Sequence, residues 1–410
     1  MHILFLSHYF PPETNAPASR TYEHTVRWVR EHDLKVTVIT NHPNHPNGTL
    51  FPGFINRCLT RERLDGIEIY RVWSYLAANS GFFHRTLNYL VFMVASILAA
   101  LRVPKPDVVV ATSPQFFCAV AGYVVSRIKG CPFVFELRDI WPESIVTVGA
   151  MRKSFLIRLM EKLELFLYQR STKIVAVTDA FRDYLINKGI PAHKIQVIKN
   201  GVDLRFFSPQ EGSEKLRQEL GGEDKFIISY IGTVGMAHAV DKIVEVAAKL
   251  RDNPEFLFLI VGEGAQKQQI SEMVTELRLE NIKIIPGVSR DRVRDYYVIS
   301  DLVLVTLKDS PLFRKVIPSK IFEIMAMARP ILCGVDGECW KIIEQARSGV
   351  LVEPENVIEM IETIKALKGQ IENLHAMGQR GRKFVETFFD RNDLAVRYLN
   401  NLRSMGSRLS

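Results

Sequence analysis

The sequence predicts an α/β protein made of two doubly wound domains, each built on a parallel sheet. The chain has 410 residues, which is long for one core and suits two domains of roughly 200 residues each. Short β-branched runs alternate with helical patterns throughout the chain. One irregular segment, NGVDLRFFSPQEGSEK, interrupts this alternation near the middle, so we place a hinge near residues 203–209.

The strand-like runs divide into two series. The first series covers residues 2–7, 35–40, 67–72, 107–112, 133–137, 173–178 and 195–199. The second covers residues 226–232, 256–262, 282–287, 302–306, 330–334 and 349–353. We therefore predict domains at 1–203 and 204–390, followed by a C-terminal helix, 391–410, that returns towards the first domain. Two such domains would face each other across a cleft at the carboxyl ends of their strands.

The positive charge lies in the first half of the chain. The first 200 residues hold 24 Lys and Arg against 15 Asp and Glu, a net charge of +9, whereas the remaining 210 carry −1. This asymmetry indicates an anionic partner, whether a membrane surface, a nucleic acid or a phosphorylated substrate, with a solvated basic face as the alternative. There is no nucleic-acid motif beyond scattered basic residues, so a nucleic-acid partner is not expected.

Composition also bears on the cellular compartment. Five cysteines at wide spacings, with no Cys-x-x-Cys pair, indicate reduced thiols in a cytoplasmic protein. The N-terminal MHILFLSHYFPPE lacks a positively charged region and predicts a buried strand rather than a signal peptide. Residues 86–101 carry no charge but are fewer than the roughly 20 needed to span a membrane. We interpret them as a helix buried on or near the domain surface, with shallow membrane insertion as the alternative.

Two glycine turns in the second half follow buried strands directly. The first turn holds Gly232 and Gly235, and the second holds Gly262 and Gly264. A strand, a glycine turn and a helix starting near Ala237 make an anion site, because backbone N–H groups and the helix dipole point at the turn. His238 could donate to a phosphate there. The alternative is that these glycines only let the helices pack on the strands.

The stretch KVIPSKIFEIMAMARPILCG places polar residues at the start of a strongly apolar helix. Ser319 suits the N-cap position, and Lys320 and Glu323 share one helix face. Lys320 could bind an anion, and Glu323 could accept hydrogen bonds from vicinal hydroxyls, as an acidic residue does for a ribose. The alternative is a half-buried Glu323 paired with Lys320 or Arg329.

Two polar loops follow strands of the first domain. FPPETNAPASR follows the first strand, and FELRDIWPES follows the fifth. The second loop supplies the carboxylate and the orienting base that activation or binding of a hydroxyl needs. Its charged and aromatic residues are Glu136, Arg138, Asp139, Trp141 and Glu143. A surface salt-bridge cluster is the alternative.

The order of these motifs resembles the retaining glycosyltransferases of family 4, which have the GT-B fold. The motifs are FPPE, LRDIWPES, IKNGVD, GTVG, VGEG and PSKIFEIMAMARPIL. Within the family they are most similar to bacterial surface-polysaccharide enzymes of the WbuB type, which are associated with amino-deoxysugar transfer. The resemblance covers nearly the whole chain, and it depends on the order of the motifs rather than on any single one.

The resemblance implies that the second domain binds a UDP-sugar donor and the first binds the acceptor, without a metal ion or other cofactor. The donor-binding residues would be Gly232, Gly235, His238, Gly262, Gly264, Lys315, Ser319, Lys320 and Glu323. The acceptor-binding residues would be Glu13, Asn15, Arg20 and Trp141. The catalytic residues would be Arg138, Asp139 and Glu143. The anomeric configuration would be retained by front-face attack.

The chain departs from the family pattern at several of these positions. Glu323 matches the second carboxylate of the Glu-x(7)-Glu signature, but Lys315 replaces the first. Where many relatives carry a basic pair and a glycine, this chain has MAHA at 236–239, so Lys320 is the expected substitute for the usual diphosphate-binding cation. Asn15-Ala16 stands where relatives often have Gly-Gly, and Arg138-Asp139 stands where many have His-Asp.

The sequence thus predicts a cytoplasmic glycosyltransferase, peripheral on the inner face of the cytoplasmic membrane and active in O-antigen or capsule synthesis. It would transfer an N-acetylated amino or deoxy sugar from a UDP-sugar to a polyprenyl-diphosphate-linked saccharide. The membrane-facing surface would comprise residues 82–101 and 151–170. The alternatives are a UDP-sugar 2-epimerase of similar fold and a non-catalytic nucleotide-sugar-binding protein. A dehydrogenase is disfavoured because no Gly-x-Gly-x-x-Gly follows any strand.

Overall fold

A computed structural model describes most of the chain. The described residues are 1–45, 47–76, 82–113, 115–141, 143, 155–210 and 214–406. They form two compact units, the first made of residues 1–199 with 391–410 and the second of residues 200–390. The predicted membrane-facing stretch 151–170 lies partly outside the described residues.

The described part of the first unit contains eight strands. They are β1 His2–Leu6, β2 Lys35–Asn41, β3 Leu59–Leu64, β4 Ile67–Val72, β5 Val108–Thr112, β6 Phe133–Leu137, β7 Lys173–Ala176 and β8 Ile195–Val197. The helices between them are α1 Ala16–His32, α2 Phe82–Ala100, α3 Phe116–Lys129, α4 Phe155–Arg170 and α5 Asp179–Asn187. The sheet order is β3-β4-β2-β1-β5-β6-β7-β8, so the winding reverses between β1 and β5.

All pairings in this sheet are parallel except the one between β3 and β4. Strands β5 and β6 are buried along their whole length, as expected when helices cover both faces of a parallel sheet. The edge strand β3 was not predicted. Its sequence, LTRERL, is charged because it lies at the edge, where Arg61 pairs with Glu68 at 2.5 Å and Glu62 with Arg71 at 2.7 Å.

The second unit contains six strands among the described residues. They are β9 Phe226–Ile231, β10 Phe256–Val261, β11 Ile282–Ile285, β12 Leu302–Thr306, β13 Ile331–Gly334 and β14 Gly349–Leu351. The helices are α6 Glu214–Glu219, α7 Val240–Lys249, α8 Lys267–Glu276, α9 Arg290–Ile299, α10 Lys320–Ala326, α11 Glu338–Ala346, α12 Val357–Lys368 and α13 Ile371–Phe388. The sheet is parallel, with order β11-β10-β9-β12-β13-β14.

Each face of this second sheet packs on its own apolar core. Ile227 and Leu259 point to the side covered by α9 and α10, whereas Ile228 and Ile260 point to the side covered by α7 and α12. Such double coverage produces the continuous apolar strands from which the fold was predicted. The winding reverses between β9 and β12, and doubly wound sheets bind ligands at the carboxyl ends of the strands near such a reversal.

The last helix, α14 Arg391–Gly406, packs on the first unit. The indole Nε1 of Trp28 on α1 donates to the carbonyl of Ala395 at 2.9 Å, and the Trp28 ring meets Tyr398 edge-on at 5.2 Å. The pairing of Arg391 with Glu23, 3.1 Å apart and buried, adds a second contact. The predicted fold class is therefore confirmed, including the return of the C-terminal helix.

Helix α2 contains the uncharged stretch identified in the sequence. It buries Phe92 and Ala99, while Val94 and Leu98 are 52% and 54% exposed. Across the described residues, no helix combines the length and apolar character that crossing a membrane requires. All five cysteines are free thiols.

Candidate functional site

The two glycine turns of the second unit lie side by side. The N–H of Gly232 donates to the carbonyl of Val261 at 2.9 Å, and the N–H of Val234 donates to that of Glu263 at 2.8 Å. A Cβ at Gly262 would come within 1.8 Å of the Gly232 carbonyl, so only glycine fits where the two turns touch. The Gly262 N–H also donates to Ile285. The N–H groups of Gly232 and Gly262 are thus engaged within the sheet, and these glycines serve close backbone packing.

Lys320, the first residue of α10, reaches back to the first turn. Its Nζ lies 3.7 Å from the centroid of the Tyr230 ring, and a Cβ at Gly232 would come within 2.7 Å of it. This Nζ is buried and has no hydrogen-bond partner among the described residues. Burial lowers the pKa of Lys320 to about 7, against the opposing effect of the Glu323 charge. A buried cation that lacks an anionic partner is costly to keep and is typical of functional sites.

His238 lies beside the same turn but is not a cation at neutral pH. Its Nδ1 is 3.4 Å from the carbonyl of Gly235. Burial, and then the nearby charge of Lys320, lower the pKa of His238 to about 4. The expected start of the helix near Ala237 is wrong, since α7 begins at Val240. The reason is local: Ala239 adopts a left-handed conformation with φ 49°, which ends the turn before the helix starts.

Glu323 lies one helical turn beyond Lys320. Its Oε2 accepts a hydrogen bond from the hydroxyl of Tyr297 on α9 at 3.1 Å. Burial, and then Glu323, raise the pKa of Tyr297 well above its usual value, so the phenol remains a donor. The carboxylate is half-buried and anchored at one oxygen. Tyr297 therefore donates to this carboxylate, a contact that differs from the alternative pairing with Lys320 or Arg329.

Three polar residues precede α10, and they differ in their hydrogen bonds and ion pairs. Ser319 occupies the N-cap position, but its side chain makes no capping hydrogen bond, because its backbone is helical rather than extended. Lys315 ends a short 3₁₀ helix, Phe313–Lys315, and is half-buried. Arg314, the preceding residue, pairs with Asp309 at 3.1 Å and Asp336 at 3.3 Å.

In the first unit, the loop after β1 is held by its own polar side chains. The Oε1 of Glu13 accepts the N–H groups of Asn44 at 3.0 Å and His45 at 2.9 Å. Burial raises the pKa of Glu13 to about 7. Asn15 caps α1, since its Oδ1 accepts the N–H of Ala18 at 3.0 Å. Both residues, expected to contact an acceptor, therefore join the loop to neighbouring elements.

Arg20 forms a buried ion pair with Glu136 that was not predicted from the sequence. Its Nε lies 2.9 Å from Oε1 of Glu136, and both side chains are almost completely buried. The same guanidinium donates to the carbonyls of Ile198 at 2.9 Å and Lys199 at 3.1 Å. Arg20 thus connects α1, β6 and the segment after β8.

The four predicted site residues in the loop after β6 differ from one another in burial and in contacts. Trp141 is buried and stacks on Phe116, with ring centroids 5.0 Å apart. Arg138 has a buried NH1 with no hydrogen-bond partner among the described residues, and burial lowers its pKa to about 9. Asp139 and Glu143 remain half-buried. The hydroxyl of Ser113, missed in the sequence, accepts the N–H of Arg138 at 2.8 Å.

The cap at Asn15 gives a test of its structural role. We expect Asn15→Ala to destabilise the protein by about 1 kcal/mol, because the N–H of Ala18 loses its acceptor. Urea unfolding followed by circular dichroism would measure this. Asn15→Asp, which keeps the acceptor oxygen, should restore stability. Unchanged stability in the alanine variant would contradict the capping role.

Known proteins identify the class to which these two units belong. The structure superposes on sucrose-phosphate synthase from Thermosynechococcus elongatus with a TM-score of 0.80 at 14% identity, covering all of both chains. It superposes on Anabaena HepE in complex with UDP-glucose with a TM-score of 0.73 at 17% identity, covering 98% of this chain and 100% of that one. The fold is therefore the GT-B fold.

Sequence comparison then gives the family. The description "Glycosyl transferase 4-like domain" matches residues 18–201, and "Glycosyl transferases group 1" matches residues 212–384. The chain belongs to these glycosyltransferases, since the two domains together account for most of its length. It is 24% identical over 414 residues to the putative colanic acid biosynthesis glycosyl transferase WcaI of Escherichia coli K12, covering 98% of this chain and 100% of WcaI.

Two aromatic residues of the candidate site were not predicted from the sequence. Tyr230 lies under the ammonium of Lys320, and Tyr297 anchors Glu323. Tyr230 could have been noticed as the one residue with an aromatic hydroxyl in the apolar strand FIISYI, two residues before Gly232. Nothing in the sequence near Tyr297 points to Glu323, because the two meet only through packing of α9 on α10.

Proposed function

We propose that this chain is a retaining, metal-independent glycosyltransferase of bacterial surface-polysaccharide synthesis, similar to the WbuB type. It transfers an N-acetylated amino or deoxy sugar from a UDP-sugar to a polyprenyl-diphosphate-linked saccharide. The similarity to WcaI, whose name refers to colanic acid biosynthesis, supports the polysaccharide role. The complex of HepE with UDP-glucose supports a nucleotide-sugar donor.

One observation carries the donor assignment. The Nζ of Lys320 is buried against Gly232 and Tyr230, and no other group of the described chain hydrogen-bonds to it. Glu323 lies one helical turn further on, with a carboxylate oxygen fixed by Tyr297. A cation and a carboxylate at this spacing suit the diphosphate and the ribose hydroxyls of one nucleotide. We infer that Lys320 neutralises the diphosphate and that Glu323 accepts from the ribose.

The proposed transfer needs no metal ion, because Lys320 stabilises the departing diphosphate. The bond between the anomeric carbon and the UDP oxygen breaks as the acceptor hydroxyl attacks from the same face. The hydroxyl proton passes to the departing diphosphate. Retention of configuration follows from attack on that face.

On the acceptor side, Asp139 and Glu143 are the half-buried carboxylates of the β6 loop that we assign to the acceptor hydroxyl. Arg138 orients this loop, since its backbone N–H is held by Ser113. We further propose that Glu13, Asn15, Arg20 and Trp141 act by holding the acceptor-binding loops in place, which their burial and hydrogen bonds support.

A nucleotide screen tests the proposal. We expect UDP to raise the melting temperature more than GDP, dTDP or ADP, since stabilisation follows the logarithm of ligand concentration over dissociation constant. UDP-sugars then identify the donor, and product analysis with a lipid-linked acceptor shows the transfer and its anomeric outcome. A protein that no nucleotide stabilises and that transfers no sugar would rule out the proposal. Conversion of a UDP-sugar without any acceptor would point to an epimerase.

We also propose peripheral attachment to the anionic inner surface of the cytoplasmic membrane. Exposed apolar residues on α2, including Val94 and Leu98, support it, together with Phe155 of α4, which is 83% exposed. We expect Leu98→Asp to reduce flotation with vesicles containing anionic lipid, because it places a charge in the inserted surface. Ile371→Asp in the second unit, where the wild-type side chain is 72% exposed, is the matched control. Equal flotation of both variants and the wild type would contradict this assignment.

A further inference from the structure

A cavity opens between α4 and α5 of the first unit, and none of the residues that line it is assigned to sugar transfer. Its volume is about 370 Å³, within the range of about 300–1,000 Å³ that is typical of ligand pockets. The polar side chains around it include Arg158, Lys162 and Lys188 at the rim and Glu164 and Tyr168 at the base. It therefore combines room for a small ligand with a cluster of cationic groups.

The base of the cavity is a buried carboxyl group bonded to a phenol. The hydroxyl of Tyr168 donates to Oε1 of Glu164 at 2.6 Å, and both side chains are buried. Burial raises the pKa of Glu164 to about 8; Tyr168 and Lys188 oppose the change, whereas the nearby negative charges of Asp139 and Glu143 add to it. At neutral pH this carboxyl group is therefore mostly uncharged and does not repel an anion.

The three cations at the rim are unusual in having no ionic partner. No ion pair joins Arg158, Lys162 or Lys188 to a residue that the structure describes, although the Nζ of Lys188 lies 5.3 Å from the centroid of the Tyr184 ring. Arg158 and Lys162 lie four residues apart on one face of α4, an arrangement that destabilises a helix by charge repulsion. Glu161 is the one acidic side chain at the rim, and it too is exposed. Three positive charges against one negative charge leave the rim cationic.

We propose that this cavity binds a phosphate or diphosphate group. An arginine fork can bind two oxygens of such a group, and the two lysines supply further positive charge and donors. The group belongs either to a membrane lipid headgroup or to a soluble phosphorylated molecule. The inference does not depend on the proposed donor site, which lies in the other unit of the chain.

Anion binding here must be linked to protonation of Glu164. A bound anion next to this carboxyl group favours its neutral form, so binding takes up protons where Glu164 is partly ionised. We expect affinity to fall as the pH rises through about 8. Glu164→Gln, which stays neutral, should bind with less dependence on pH.

Calorimetric titration of the full chain with inorganic pyrophosphate tests the site, first with UDP present to occupy the donor site and then without it. The double variant Arg158→Ala/Lys188→Ala should bind about tenfold or more weakly, since it loses two charged contacts. Arg170→Ala/Arg182→Ala is the matched control, because these exposed cations lie on the same two helices outside the cavity. Equal affinity in both double variants, or equal loss in both, would overturn the assignment. These comparisons stand whether or not UDP binds.

Vesicles distinguish the two sources of the phosphate group. Flotation with phosphatidic acid vesicles that requires Arg158 and Lys188 and is reversed by pyrophosphate would assign the cavity to a lipid headgroup. Pyrophosphate binding that requires both residues, without such flotation, would assign it to a soluble ligand. A wild-type chain that binds neither pyrophosphate nor phosphatidic acid through these residues has no phosphate site here.

Discussion

Replacing Lys320 with methionine should lower kcat/KM for sugar transfer roughly 10²–10³-fold, the loss typical of removing one preorganised group that stabilises a developing charge. Methionine keeps the apolar stem that packs on Tyr230 and Gly232 and removes only the ammonium group. Steady-state kinetics with the donor identified by the nucleotide screen would measure the effect. Lys341→Met is the control, because Lys341 is an exposed lysine of the same unit.

The same variant should be more stable than the wild type at and below neutral pH. The folded protein lowers the pKa of Lys320 to about 7, whereas the unfolded chain keeps it near the ordinary lysine value. Between these values the unfolded chain binds more protons, so the cost of burying this lysine is fully present below pH 7 and is relieved as the pH rises. At about 1.4 kcal/mol per pKa unit, the cost is on the order of a few kcal/mol.

Urea unfolding at pH 6, 8 and 10 would show the difference between wild type and Lys320→Met shrink as the pH rises. Donor binding should raise the pKa of Lys320 again, because a diphosphate next to Nζ favours the charged form of the lysine. UDP binding above pH 7 should therefore take up protons, which calorimetry in buffers of different ionisation enthalpy detects. If wild type and Lys320→Met take up the same number of protons on UDP binding, the contact between Lys320 and the diphosphate is contradicted.

The fold could be predicted because each buried strand is marked by a short apolar run in the sequence. Every strand predicted from an apolar run is present, since strands such as β6 and β10 are buried on both faces and need apolar residues throughout. The edge strand β3 escaped prediction because none of its residues is buried, so it lacks the apolar run of the central strands. The start of α7 was placed too early because a left-handed residue, Ala239, cannot be recognised as such from the sequence.

The candidate site could be predicted only in part, because its contacts join distant parts of the chain. Lys320 and Glu323 stood out as polar residues in an apolar helix, and the structure places Lys320 beside Gly232 and Glu323 next to Tyr297. Arg20 and Glu136, 116 positions apart, gave no sign of pairing. Trp141 lies in a polar loop and was expected to contact the acceptor, and the structure shows it stacked on Phe116. Loop composition does not determine the direction in which a side chain points.

Glu323→Ala should weaken UDP binding about 10- to 100-fold, the effect expected when a hydrogen bond to a charged group is lost. Tyr297→Phe should weaken it less, because the carboxylate remains but loses the donor that fixes one oxygen. Calorimetric titration with UDP measures both effects. Glu344→Ala, which changes an exposed carboxylate of the same unit, is the control.

A nucleotide without ribose hydroxyls separates ribose binding from a structural role of Glu323. If the carboxylate accepts from the ribose, 2′,3′-dideoxy-UDP should bind wild type and Glu323→Ala with similar affinity, because the contact is already missing from the ligand. If Glu323 only supports the fold through Tyr297, the Glu323→Ala variant should lose affinity for both nucleotides by the same factor. An equal loss of affinity for both nucleotides would mean that Glu323 stabilises the packing of α9 on α10 and does not bind the ribose. Lys320 would then remain as the donor-binding group, since its position beside Gly232 does not depend on the ribose.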